Sequence, residues 1–424
     1  MKSKNLIAAT SIAAAAAVVL GGCSSGDASQ PNPSSSGKVE GELTGLFFSG
    51  FKDTYEKIVT EFEKKYPNVK VKFNYQGGDI GALAMTQLQA GTAPDILTSF
   101  PGGDAKDSAD SVVPLAAQGH IAPLNVTWAS KIPQGWTSSF NYNGKVYAYP
   151  GAFQPLSAVY NKTKLDQVGL KIPTTLDEVY QLCADAKAKG VYAYAMGLGD
   201  GAAGPQMLSF AQAATLIYGP NPTFDKDLAD GKVTYPNSKW VDQFKIYKKM
   251  FDDGCFGPGA LGRSRDQAST AAATGQALGT VDVGAVLAVM QKAAPKNSFV
   301  ISPMPATNDG KTFITALPGF VTTVNAKAKN MAAAQAFMEF LGQPDISVIY
   351  AKGFASVPVL PNDQYKAPAE LEAFAKANSA GQTTQLPAVQ AEVQATLNSQ
   401  IQAMLLGKTT PEGVAERMQK VYKK

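Results

Sequence analysis

The sequence predicts an α/β protein of two domains, each a mainly parallel sheet flanked by helices. Three observations carry the prediction. Short β-prone runs alternate with amphipathic helical patterns. The alternation continues along most of the chain. Roughly 385 residues remain once a leader and its tether are set aside, more than one ordinary core accommodates.

The leader comes first. Lys2 and Lys4 give a short basic start, residues 6–20 are an uncharged Ala-rich apolar run, and Leu20-Gly-Gly-Cys23 closes it with small residues before a cysteine. This is the order of a secretory signal, and its apolar stretch is shorter than the roughly 20 residues a membrane-spanning helix needs. The closing tetrad matches a bacterial lipobox, so residues 1–22 are the expected signal peptide and Cys23 the expected lipidation site. Residues 23–38 are rich in Ser, Gly, Pro and Asn and read as a tether between lipid and domain. The expected location is extracytoplasmic, on the cell membrane through the lipid.

The folded part opens with an apolar strand over 43–48. Asp53 and Glu56, three apart, form a capping-box pattern before a helix with Tyr55, Ile58, Val59, Phe62 and Tyr66 on one face, which Pro67 ends. Val69, Val71, Phe73 and Tyr75 alternate with polar residues as a half-buried strand. Gly77-Gly78 then leads to a helical pattern in Ile80, Leu83, Ala84 and Leu88. Strands follow at 145–149 and 157–160. Thr175 and Glu178 open a helix that runs to Gly190, and 192–196 is again strand-like. The remaining pattern gives helices over 240–251, 285–292 and 330–341, and strands over 276–281 and 299–302.

The chemistry-bearing residues are few. His120 is the single histidine, and its place after Gly119 at a helix end suits a surface residue. No Walker-type loop, Cys-x-x-Cys or Gly-x-Ser-x-Gly occurs. Asp252 and Asp253 are adjacent on a helix and point to different sides, so they do not make a flanking acid/base pair. Gly199, Gly201 and Gly204 spell Gly-x-Gly-x-x-Gly with Asp225 downstream, but without a catalytic partner the stretch reads as a tight loop whose helix start faces a cleft. No catalytic residue, metal or cofactor is expected. The formal charge of +4 falls to +2 without Lys2 and Lys4, which argues against nucleic acid as a partner. Cys183 and Cys255 are an even pair in an oxidising compartment; a disulfide and two buried thiols are both open readings.

A set of phrases in fixed order adds to this. They include Gly91-Thr-Ala-Pro-Asp95-Ile, Val113-Pro-Leu-Ala, Asn143-Gly-Lys-Val-Tyr-Ala-Tyr-Pro150, Val159-Tyr-Asn-Lys162 and Leu170-Lys-Ile-Pro-Thr-Thr-Leu-Asp-Glu178. Later come Ala273-Thr-Gly-Gln-Ala-Leu278, Pro303-Met-Pro305, Leu317-Pro-Gly319, Gly342-Gln-Pro-Asp345 and Leu406-Gly-Lys-Thr-Thr-Pro-Glu412. Together, after a lipobox, they resemble the family 1 extracellular solute-binding proteins of ABC importers, the maltose-binding-protein-like lipoproteins.

The resemblance implies a two-lobed periplasmic-binding-protein type II fold with several interlobe crossovers, placed near 151–154, 298–303 and 342–346. One lobe would take 39–153 plus 303–342, the other 154–302 plus 343–424. It implies a monomer that captures a small carbohydrate, mono- or oligosaccharide, in the cleft and delivers it to permease subunits. By position it assigns ligand contacts to Ser49, Phe51, Lys52, Ser99, Phe100, Phe153, Gln154, Asp282 and Phe320. Phe48, Phe51 and Phe153 have an alternative place in the core, Lys52 and Asp53 one as helix-start residues, and Asp95 is assigned to structure. The sequence departs from the family's pattern after residue 281 and in the C-terminal segment, where Asp282-Val-Gly284 and 388–394 lack tryptophan; Trp128, Trp136 and Trp240 lie elsewhere. That departure argues against long oligosaccharides. Two other classes stay in view: a secreted carbohydrate-active enzyme, which requires two converging carboxylates, and a lipoprotein that presents its bound state to a membrane sensor.

Overall fold

The computed structural model describes residues 37–77, 80–103, 109–199 and 204–423. The expected signal, the lipidation site Cys23, the tether through residue 36 and Gly201 of the glycine stretch lie outside them. The described strands are, in chain order, β1 (Gly41–Phe48), β2 (Val69–Gln76), β3 (Ile96–Ser99), β4 (Asn141–Tyr142), β5 (Lys145–Val146), β6 (Ala148–Tyr149) and β7 (Ala152–Asn161). They continue as β8 (Tyr192–Ala195), β9 (Ala277–Val283), β10 (Phe299–Ser302), β11 (Ile314–Pro318), β12 (Val321–Val324), β13 (Val357–Pro358) and β14 (Thr383–Gln385).

Local pattern explains the first layer. In β1, Leu43 and Phe47 point to one core and Leu46 to the opposite face, as a period of two requires. The helix Lys52–Lys65 buries Tyr55, Ile58 and Phe62, spaced three and four apart, against that core. In β2, Val69 is buried, Val71, Phe73 and Tyr75 are half-buried, and the intervening lysines are exposed.

The first sheet has the order β2-β1-β3-β12-β6. β1 runs parallel to β2 and β3, while β12 runs antiparallel between β3 and β6. The second sheet has the order β14-β11-β7-β9-β8, with β10 and β13 also paired to β7. There β8/β9 and β11/β14 are parallel, and β7 is antiparallel to all four of its partners. Both sheets are therefore mixed, with helices on their faces.

Two large apolar cores form, the first of which also takes Phe153 from β7 of the second sheet. One gathers Phe47, Phe62, Trp128, Phe140, Phe153 and Phe337. The other gathers Tyr160, Leu182, Phe210, Trp240, Phe244, Leu397 and Met418, so Trp240 is core. A disulfide joins Cys183 to Cys255 with Cα atoms 4.8 Å apart, tying the helix Leu176–Ala188 to the turn after the helix Trp240–Asp252.

The chain passes from the first sheet to the second between β6 and β7 and returns between β11 and β12. The return lies later than 298–303 because β11 first extends along β7, with Pro318 opposite Phe153. Ile346, Tyr350, Phe374 and Ala377, which the sequence places with the second lobe, pack in the first core. The helix Pro344–Gly353 lies close against the helix Lys52–Lys65: a Cβ on Gly353 would meet Thr54 Oγ1. Among the described residues, no helix is long and apolar enough to cross a membrane.

Candidate functional site

In sheets with parallel strands, ligand sites form outside the carboxyl ends of the strands. Here those ends are Phe48 of β1, Ser99 of β3, Ala195 of β8 and Val283 of β9. A cavity of about 390 Å³ opens beside Phe48 and Phe100, and is walled by Phe51, Gln154, Phe320 and Phe354 with Tyr350 and Ser356 behind them.

Each ring is aimed by its element. Phe48 ends β1, and Phe51 closes the single 3-10 turn that leads into the helix Lys52–Lys65. Phe100 follows β3 and, at 38% exposure, is among the few large apolar side chains left open to solvent. Phe320 sits in the return between β11 and β12 and is the hub, its ring centroid 4.7 Å from Phe100, 5.5 Å from Phe51 and 5.8 Å from Phe48. Phe354 caps the helix Pro344–Gly353 and lies 4.6 Å from Phe51. The next residue, Ala355, has φ 44, a left-handed conformation costing a non-glycine residue on the order of 1–2 kcal/mol, and it turns the chain between Phe354 and Ser356.

Tyr350 braces this wall. Its hydroxyl donates to the Phe320 carbonyl at 3.3 Å, and its ring fills the space a side chain on Gly151 would need. Gly151 itself has φ 66, so glycine is required there twice over. Burial holds the phenols of Tyr350, Tyr55 and Tyr149 well above their ordinary values, so all three stay neutral.

Strand alternation sorts the β7 residues. Ala152 and Gln154 face the cavity. Phe153 turns the other way: it is fully buried, 4.3 Å from the Trp136 ring, and so belongs to the core rather than to the cleft. Ser99 is also withdrawn, with 2% exposure and its hydroxyl 2.9 Å from that of Thr323. Ser49 and Lys52 are exposed beside the cavity without lining it, and Lys52 Nζ lies 3.7 Å from Glu56. Asp95 is structural, accepting bonds from the Thr44 N–H and hydroxyl and from the Asn330 N–H.

Asp282 stands at the end of β9, paired across to Ser157. Its carboxylate is not open to a ligand. Arg265 Nε donates at 3.1 Å and Nη2 makes a second, shorter contact, while the Val283 N–H donates at 2.7 Å. Phe51, Phe100, Gln154 and Phe320 are thus the sequence-derived residues that the structure brings together.

Sequence reasoning missed Phe48, Tyr350, Phe354, Ser356 and Arg265. Phe48 was adjacent to Ser49 and within reach of the same argument. Arg265 had a readable signal, the Ser264/Gln267 capping box that starts the helix Arg265–Ala273. Phe354 and Ser356 follow an ordinary helix end and carry no local mark.

The model for the family of bacterial extracellular solute-binding proteins matches residues 49–346. The chain is 24% identical over 352 residues to the multiple sugar-binding protein of Streptococcus mutans, an alignment covering 80% of this chain and 79% of that one. It is 26% identical over 342 residues to the arabinooligosaccharide-binding protein of Bacillus subtilis, covering 76% and 72%. Among solved structures, apo RafE from Streptococcus pneumoniae superposes with TM-score 0.75 at 19% identity, covering 91% of this chain and 97% of that one. A family 1 extracellular solute-binding protein from Bifidobacterium longum subsp. infantis gives TM-score 0.71 at 20% identity, covering 90% and 99%.

Proposed function

Because the chain belongs to the bacterial extracellular solute-binding protein family and has the α/β periplasmic-binding-protein fold, we propose that it is the substrate-binding lipoprotein of an ABC importer. It captures a small carbohydrate between its lobes and hands it to the membrane permease. The observation that carries this reading is the ring-lined cavity at the strand ends, with the Gln154 amide on its wall. At the mouth of the cavity the exposed Phe100 ring can stack on the C–H face of a pyranose, whose hydroxyls stay in water or meet the Gln154 amide. Relatives named as a multiple sugar-binding protein and an arabinooligosaccharide-binding protein, and a structure of RafE with raffinose, support the same class.

In the proposed cycle, hinge motion through Gly151 and Gly319 brings the ends of β8 and β9 over a solute held on the phenylalanine wall. The closed form persists only while the solute contacts both lobes, and that form docks on the permease. The lipid on Cys23 keeps the monomer at the membrane. Two experiments test the reading. A thermal-shift screen of purified protein against a sugar library should yield sugars that raise Tm, because a ligand of the native state stabilises it; a screen in which only non-sugar solutes raise Tm overturns the ligand class. Cys23→Ser should move the protein from the membrane fraction to the soluble one, and unchanged partitioning overturns the anchor.

A further inference from the structure

We infer that the solute carries an apolar group, a methyl or an aryl ring on an otherwise polar sugar, which enters the phenylalanine cavity while the hydroxyl-bearing part stays outside it. This deepens the carbohydrate reading and rests on it. The cavity, about 390 Å³, lies at the small end of the roughly 300–1,000 Å³ range of ligand pockets, enough for one ring-sized body with its substituent.

Tyr350 and Ser356 in the cavity lining are bonded within the protein, while Ser49 and Lys52 stand exposed outside it. Tyr350 donates to the Phe320 carbonyl at 3.3 Å. The Ser356 hydroxyl donates to the Phe354 carbonyl at 2.7 Å, and the Ser356 carbonyl accepts from the Tyr365 hydroxyl at 2.8 Å. Across the cleft edge, Asp282 is held by Arg265 and the Val283 N–H. Among the described residues that line the cavity, Gln154 is the one side chain whose polar group has no hydrogen-bond partner within the protein.

An ordinary hexose carries a hydroxyl on nearly every ring carbon. Seated among Phe48, Phe51, Phe100, Phe320 and Phe354, most of those hydroxyls would lose water and find no partner, each weakening binding about tenfold. A methyl or phenyl group in the same place loses nothing and gains about threefold to fourfold per buried methylene. The wall thus selects for an apolar substituent, and Gln154 at its margin meets the first polar group beyond it.

The test is isothermal titration of purified protein with matched pairs: 6-deoxyhexoses against their parent hexoses, and phenyl glycosides against methyl glycosides of the same sugar. In at least one pair the apolar member should bind about tenfold more tightly, and the arm in which this occurs tells methyl from aryl. Phe100→Ala, at an exposed position the core does not depend on, should cut that preference at least threefold, and Phe320→Leu, which keeps apolar volume but removes the hub ring, should cut it too. If sugars bind but the unmodified member binds as well as its partner in every pair, or if both variants keep the preference, the inference falls and the carbohydrate reading stands. If no member of any pair binds, both fall together.

Discussion

Asp282→Ala should cost the protein stability, whereas Gln154→Ala should cost it only ligand. The resemblance assigns both residues to ligand rather than to the fold; the ion pair changes this for Asp282. Its side chain is 6% exposed and its carboxylate receives Arg265 and the Val283 N–H. Removing one partner of a buried pair costs about 3–5 kcal/mol, but the Arg265 side chain is 34% exposed and water can rehydrate it, which brings the expected loss to about 2 kcal/mol. Gln154 has no bond within the described protein to lose, so its truncation should leave stability within about 0.5 kcal/mol while weakening ligand by about 1 kcal/mol, roughly fivefold. Denaturant unfolding measures the first quantity through the midpoint at constant m, and titration measures the second. Adding Arg265→Met to Asp282→Ala should cost less than the two single losses together, since they share one interaction. If Asp282→Ala keeps the wild-type midpoint and m, the ion pair makes no net contribution and the assignment of Asp282 to the fold is refuted.

Further outcomes follow from other features. Cys183→Ser with Cys255→Ser, or reduction, should cost about 4 kcal/mol, since the bond spans 72 residues; an unchanged denaturation midpoint under reductant would contradict this. Gly151→Ala should cost about 2 kcal/mol, because φ is 66 and the new Cβ would lie 2.9 Å from the Tyr350 ring; it should also weaken ligand by disturbing the brace on Phe320, and Tm together with Kd reads both. Asp225 is half-buried, with the Tyr218 hydroxyl and the Ala388 N–H donating to it, and desolvation raises its carboxyl above the ordinary value. The native state therefore holds that proton more readily than the unfolded chain does, so stability falls as pH rises from about 4 through the raised value and is level beyond it. Asp225→Asn should remove that part of the slope in Tm against pH, and parallel profiles for the two proteins would exclude the effect.

Much of the secondary structure was legible because it is local. The helix at Lys52–Lys65, the alternation in β2, the helix at Trp240–Asp252 and the strand β9 all lie within a few residues of where periodicity puts them, but the expected Asp53/Glu56 capping box is absent: the helix starts after Phe51 with no side-chain cap, and Asp53 lies inside its first turn. Pairing was not legible. β7 is buried on both faces over most of its length, so nothing in Ala152-Phe-Gln-Pro tells which of Phe153 and Gln154 faces solvent, and only the partners β11 and β13 decide. The helix Pro344–Gly353 joins the first core through a contact with Thr54 that no window of sequence contains. Asp282 reads as a ligand contact by position because its partner Arg265 lies 17 residues earlier, at the start of the preceding helix. Of the residues the resemblance assigns by position, Phe51, Phe100, Gln154 and Phe320 line the cavity; Phe48 beside them and Tyr350, Phe354 and Ser356 from far along the chain complete its wall.

That long reach has a consequence for biogenesis. Phe48 and Phe354 meet in one pocket although roughly 300 residues separate them, so the cavity cannot exist on a nascent chain and is assembled only when the late segment docks on the early one. On the export route proposed above, a polypeptide still threading outward has no means of gripping sugars in the cytoplasm and being locked into shape by them. Capture becomes available only after translocation is complete, on the side of the membrane where the solute is to be collected.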